Sequence, residues 1–546
     1  MGRSISENKK AGAISIVICA MFVAVVFSGC TSTPPAGVTK ITLYYNQGND
    51  ARKLGCQLLK DNIEAITPDI KIDIQELAWA QYLEKLQKKD MPIFFLGWAP
   101  DYAHPDDYLA PFGRSDGNYA NRVGFNDSEV DAWIDAAKQE LNATRATELY
   151  AQIEQRLFDK GVYLYVDQPI NFHVERNWVQ GYFYNPMYSE QIYKYLSKNG
   201  SSDDTTYVEI LAGGPQFLDP AWDYETAGGE ILQNVYETLV FYKNASAAEL
   251  EPLLATQVPS LANGGISADG LTYTFHLRQG VTFQDGTKFN ASAVKYSLDR
   301  TMYYDDPESA GWILTQVLDK ENTSSIQVVD EYTVRFHLTH KYSPFLYCLA
   351  YTEADIVSPT YVEANGGIQP RSNNSWMDRH MCGTGPYMLD EWAQDNTFIV
   401  MKKNPHYWGT EPALDTVRIE YVDEYNTRFL ALQSGTADHI YVPREHANEL
   451  TNQTGIRVVT GTPTFDVNFY GFNELMAPFN NLSLRKAFCY AFDFQTYYTQ
   501  IQSGITSPMQ GVIPKGMFGH DYNLPIYTQN ITRAKAYLQA AGYTTN

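Results

Sequence analysis

The 63 Asp and Glu side chains of this 546-residue chain could supply an acid–base pair many times over, but no spacing among them selects one. The ten histidines are scattered. His337 and His340 are close in sequence, but at strand spacing they face opposite sides, so they do not share a metal ion. A zinc-binding H-E-x-x-H helix is absent, no C-x-x-C pair occurs, and no nucleophile elbow is read from the sequence. Asn263-Gly264-Gly265 is a turn signal and not a phosphate cradle. A hydrolase is thus the weak enzyme alternative, and the expectation is no catalytic residue, no metal and no cofactor. The residues with the most distinctive pattern are Leu96–Leu109, LGWAPDYAHPDDYL, where an apolar strand runs into tryptophan, tyrosine and carboxylates. Read alone, that segment suits a surface loop with a packed Trp98 and a helix-capping aspartate.

The elements around it alternate. Ile41–Tyr45, Ile70–Glu76 and Ile93–Trp98 read as strands. Ala51–Ile66, Tyr82–Lys88, Asp127–Asn142 and Arg145–Lys160 read as helices. This is the grammar of an α/β lobe with its ligand site at strand ends. Leu196–Thr206, LSKNGSSDDTT, is the clearest linker. After it the pattern restarts with strands at Tyr207–Leu211, Leu271–Leu277 and Thr333–Leu338 and helices at Ala291–Met302, Leu484–Phe492 and Ile531–Ala541.

Bulk properties narrow the class. A net charge of -22 argues against nucleic acid as a partner. Aromatics at 14% suit a cleft that grips ligands by flat faces. Lys9 and Lys10, an apolar run to about Val26, and Phe27-Ser28-Gly29-Cys30 describe an export signal (1–29) ending in a lipobox. Cys30 is then the lipid-attachment residue and 30–40 a Pro-rich tether; an uncleaved N-terminal membrane helix is the alternative. Ten N-x-Ser/Thr triplets, from Asn126 to Asn530, fit an exterior location, and with a lipobox they suggest an archaeal cell surface. One exterior disulfide is expected, Cys348–Cys382, with Cys56 and Cys489 as buried thiols.

Several segments resemble family 5 of the extracytoplasmic solute-binding proteins of peptide and nickel ABC importers. They are Phe217-Leu218-Asp219-Pro220, Asn234–Leu239 (NVYETL), Asp269–Asp285 (DGLTYTFHLRQGVTFQD) with the helix through Arg300, Gly383–Tyr387 (GTGPY), Lys403–Gly409 and Leu484–Asp493. The resemblance implies a two-lobed periplasmic-binding-protein fold of the large peptide-binding class with an extra subdomain. In that family the Gly-Trp-x-x-Asp-Tyr segment lines the cleft, which makes Asp101 the anchor for a peptide's α-amino group, Trp98 a flat wall and Tyr102 a neighbour. A carboxylate only accepts hydrogen bonds and pairs well with an ammonium in a dry cleft. The family's dipeptide binders carry an arginine in the loop that is here Tyr45–Asp50; that loop has none, and Arg52 follows in the helix. A strict dipeptide clamp is therefore not expected.

The order of the motifs is unusual. Residues 41–198 resemble the family's C-terminal portion and 207–546 everything before it, which reads as a circular permutation. The expected organisation is lobe 2 from 41–160, the tail of lobe 1 from 161–198, a linker at 199–206, lobe 1 with the extra subdomain from 207–457, and the rest of lobe 2 from 458–546. The implied function is monomeric capture of an oligopeptide or similar small solute for an ABC permease and its ATPase. The protein is then exported and tethered to the outer face of the cytoplasmic membrane, in the periplasm or at the cell surface. A nickel-chelate binder is the nearest rival, and a ligand-sensing surface receptor is another.

Overall fold

The computed structural model describes residues 37–304, 309, 311–369, 372–450 and 453–546. The expected export signal and Cys30 lie outside them. The first unit of supersecondary structure is strand β1 (Thr39–Asn46), helix α1 (Asp50–Ile66), strand β2 (Ile70–Leu77), helix α2 (Trp79–Gln87) and strand β3 (Ile93–Trp98). β1 lies between β2 and β3 and is parallel to both, as crossover helices require. α1 starts where Asn49 accepts from the Arg52 backbone N–H, and it buries Cys56, Leu59, Ile63 and Ile66, a stripe of helical period. That stripe joins Ile41 and Leu43 in one apolar core with Leu484, Phe488, Ala534 and Leu538, so residues from both ends of the chain close the same lobe. The contact continues to the end: the Thr544 backbone N–H donates to Asp69 Oδ2 at 2.6 Å, and that of Asn546 to the Ile66 carbonyl at 3.1 Å.

After two short turns of helix, α3 (Asp106–Gly113) and Asn118–Val123, and the helices Ser128–Gln139 and Ala143–Lys160, the chain enters strand β4, Tyr163–Arg176. β4 belongs to two neighbourhoods of one twelve-stranded sheet. Residues 163–169 pair with the strands Val467–Phe472 and Thr506–Pro508, which complete the lobe of β1–β3. Residues 170–176 pair with Ile456–Pro463 and His439–Ile440, and through the latter with Thr206–Leu211 and the rest of the other lobe. The change falls at Pro169–Ile170, where proline has no N–H to give to a continuous ladder. On the antiparallel return it falls at Thr464, whose N–H donates to the Pro169 carbonyl at 2.8 Å.

The linker 199–206 is a compact turn. Asp203 accepts the backbone N–H groups of Thr205 and Thr206, and Lys198 spans it to the Thr206 carbonyl at 2.6 Å.

The sequence landmarks of the lobe after the linker converge on two buried carboxylates. Asp219 is held by both terminal nitrogens of Arg300, with both side chains essentially inaccessible. Glu237 accepts from Thr384 (2.8 Å), Trp408 (2.7 Å) and Tyr407 (3.0 Å). Gly383 and Gly385 lie against the Val235 carbonyl so closely that an added Cβ would stand 2.1 and 2.7 Å from its oxygen. The expected Cys348–Cys382 disulfide is not formed. Both thiols are free and buried. Cys348 ends a short helix, both cysteines belong to the apolar core that also holds Tyr102 and Tyr342, and the Cys382 N–H donates to the Tyr236 hydroxyl at 3.2 Å.

Replacing Arg300 by Met would strand the Asp219 charge in the core. The expected loss is about 3–5 kcal/mol in chemical denaturation, while Arg300→Met combined with Asp219→Leu should recover much of it. Equal destabilisation by the single and double variants would contradict the buried-charge account.

Candidate functional site

β3 points its C-terminal end at the seam between the lobes, and the segment Gly97–Asp101, the last two residues of the strand and the three that leave the sheet after it, lies there. It meets residues 171–173 of β4, the stretch 182–190, Tyr224, Tyr351, 439–444, Thr464 and Asp466 around a cavity of about 670 Å3. That volume lies within the roughly 300–1,000 Å3 of small-ligand sites.

Asp101 is 6% exposed on this wall. Its Oδ1 accepts from the Tyr224 hydroxyl at 2.9 Å, a bond that crosses from one lobe to the other. Its Oδ2 has no partner. Its backbone N–H donates to Asp107 Oδ2 at 2.9 Å, which brings a second carboxylate, from the first turn of α3, against its loop. Burial pushes the Asp101 carboxyl up to about 7, with the Tyr224 hydrogen bond opposing the rise. The carboxylate thus sits desolvated on a cavity wall with no cation beside it. Trp98 lines the same cavity, its ring edge-on to Tyr119 at 5.7 Å.

Tyr102, expected as a cleft neighbour, faces the other way. It is 2% exposed, and its hydroxyl bonds Tyr342 (2.9 Å) and Asp106 (3.3 Å) in the core between lobe 2 and the subdomain. At the end of β3, successive residues change sides once the strand breaks, and the tyrosine after Asp101 is taken by the interior. Arg52 does not line the cavity either. It is half-buried behind Gly97, where a Cβ would stand 2.6 Å from its Nη2, and its Nη1 donates to Asn46 at 2.6 Å.

The far wall was not foreseen. Tyr182, His173 and His439 form a parallel column, with centroids 3.6 and 4.1 Å apart. Burial lowers His173 to about 3 and takes His439 well below the usual imidazole range, so both rings are neutral. Glu190 and Asp466 also line the cavity, and Glu190 holds φ +77, a strained conformation for a side-chain-bearing residue. Arg444 is the sole lysine or arginine among the lining residues. A column assembled from positions 173, 182 and 439 leaves no local sequence signal. Only the aromatic excess pointed toward it.

One pentapeptide does have the letters G-x-S-x-G: Gly113-Arg114-Ser115-Asp116-Gly117. It joins two helices and not a strand to a helix, and Ser115 is tied to helix-capping duties, its N–H on Asp131 and its Oγ accepting from the Asp127 N–H. Among the described residues no histidine bonds it, and its context is not that of a nucleophile elbow.

Because the Asp101 carboxyl is raised from its ordinary 3.8, the folded state holds its proton more tightly than the unfolded chain, and its contribution to stability is lost as pH rises from about 4 through about 7. Asp101→Asn should therefore melt at the same or a higher temperature than the parent at pH 8, with the gap closing toward pH 4. A variant that melts lower at pH 8 than the parent would show that the carboxylate is not desolvated.

The fold and this site have relatives. The model of the family described as bacterial extracellular solute-binding proteins, family 5 Middle, matches residues 28–120 and 249–546. A probable D,D-dipeptide-binding periplasmic protein of Escherichia coli is 31% identical over 329 residues, 60% of each chain. A glutathione-binding protein of Salmonella typhi is 33% identical over 280 residues, 51% of each chain. The chain thus spans about 60% or less of the length of these curated relatives. Among solved structures, an ABC transporter-associated periplasmic binding protein from Helicobacter pylori, in complex with the peptide STSA, superposes with a TM-score of 0.50 at 27% identity, covering 62% of this chain and 66% of that one. The two-lobed α/β architecture and the family matches agree: this chain belongs to the bacterial extracellular solute-binding proteins of family 5.

Proposed function

We propose that the protein captures an oligopeptide, or a similar amine-bearing solute, between its lobes and delivers it to an ABC importer, with Asp101 as the amine anchor and Trp98 as a flat wall. The observation that carries this is the Asp101 carboxylate: desolvated, on a cavity wall, with one oxygen unpartnered and no cation in contact. An ammonium placed there gains a charge-assisted hydrogen bond and removes the cost of the bare carboxylate. The names of the relatives, which speak of a D,D-dipeptide, glutathione and a peptide, are of the same chemical class. The change of partner along β4 and at Thr464 gives two adjacent strand crossings about which the lobes close on the solute. The export signal and a lipid on Cys30 would hold the protein outside the membrane. No helix among the described residues is long and apolar enough to cross it.

Asp101→Ala should weaken binding of N-terminally free peptides at least tenfold by calorimetry, with an unchanged fold. In the parent protein, affinity should fall by about tenfold per pH unit below the Asp101 value of about 7, because the carboxyl must lose its proton before it pairs with an ammonium. Affinity that is unaffected by the substitution, or flat between pH 5 and 7, would contradict the anchor.

We also infer that the motif order is a circular permutation. Support comes from the shared core of β1 and the helix Ile531–Ala540 and from the compact turn at 199–206. A protein re-cut to run 207–546 and then directly into 39–198 should fold and bind as the parent does. An insoluble product, or one without ligand affinity, would count against it.

A further inference from the structure

The cavity wall opposite Asp101 carries a cation in an unusual state. Arg444 follows the short strand His439–Ile440 in the other lobe and lines the same cavity. Its Nη2 donates to the carbonyl of Ile170 at 2.6 Å, the residue at which β4 changes partner. Its Nε is buried without a hydrogen-bond partner, and among the described residues no carboxylate lies within ion-pair distance of it. Asp466 and Asp167 lie close enough for their carboxyls to feel its charge but are not paired with it. Tyr184 and Tyr441 flank it. A guanidinium is always charged, and a fork held at one nitrogen by a main-chain carbonyl keeps its other donors aligned for a planar anion. The remaining lining side chains offer no substitute, since Asp101, Glu190 and Asp466 are acids and His173 and His439 are neutral.

We propose that Arg444 binds the carboxylate of the solute whose amine meets Asp101, so that the cleft selects zwitterions and bridges its two lobes through the ligand's opposite charges. This rests on the peptide reading above. It places the carboxylate site in the lobe opposite the loop Tyr45–Asp50, on a residue whose other bond is to the crossing strand. Ligand charge thereby acts directly on the joint between the lobes.

The test is calorimetry of the whole mature chain with one tetrapeptide in three forms: free at both ends, C-terminally amidated, and N-acetylated. The parent should bind the free peptide at least tenfold more tightly than the amide. Arg444→Gln should bind free and amidated peptides alike, near the parent's affinity for the amide; retained amide binding also shows that the variant is folded. Arg444→Lys, which keeps the charge, should restore part of the preference for the free acid. Equal losses on both forms in Arg444→Gln, or no loss on either, overturn the assignment while leaving the amine anchor intact, which is read separately from the N-acetylated peptide. A parent that binds none of the three overturns the peptide reading and this inference with it.

Discussion

The backbone of β4 can satisfy two lobes only by exchanging partners in mid-strand, and the rest of the molecule is arranged around that exchange. Its first half completes the sheet of β1–β3, its second half the sheet of the other lobe, and Pro169 marks the break because it has no N–H to carry the ladder through. The return strand breaks opposite, at Thr464. Side chains that leave the sheet on either side of this seam necessarily face one another. Asp101 comes from one side and Tyr224, His439 and Arg444 from the other, which is why the cavity is built from such distant stretches of chain.

Within the cavity the decisive quantity is desolvation. A carboxylate with water on both oxygens would bind an amine weakly, because each new contact only replaces an old one. Asp101 keeps a hydrogen bond from Tyr224 and has lost its other partners, so an incoming cation meets a group already stripped of solvent. The neutral column of Tyr182, His173 and His439 supplies flat apolar surface without competing charge. The arrangement offers binding and orientation of a solute between the two walls.

Much of this was legible because it is local. The alternation Ile41–Tyr45, Ala51–Ile66, Ile70–Glu76 and Ile93–Trp98 became β1, α1, β2 and β3 with shifts of a residue or two, since strand and helix periods are written into consecutive side chains. Asp101 and Trp98 stand in a contiguous motif, and both line the cavity. What escaped depended on distant pairing. The fourteen-residue strand β4 was missed because its buried run carries no alternation to announce it; both its halves are covered, and its residues are nearly all inaccessible. Tyr102 looked like a cleft residue by adjacency, but Tyr342 and Asp106 hold it in the core. The disulfide failed for a similar reason: cysteine spacing says nothing of how the fold will place each thiol, and these two are buried but not bonded to each other.

The most direct measurement is mass spectrometry of whatever the purified protein releases on unfolding. The account predicts a solute with a free amine and a carboxylate, a short peptide foremost. Recovery of a metal chelate, or of a solute lacking an amine, would contradict the central claim that the buried carboxylate of Asp101 selects the ligand.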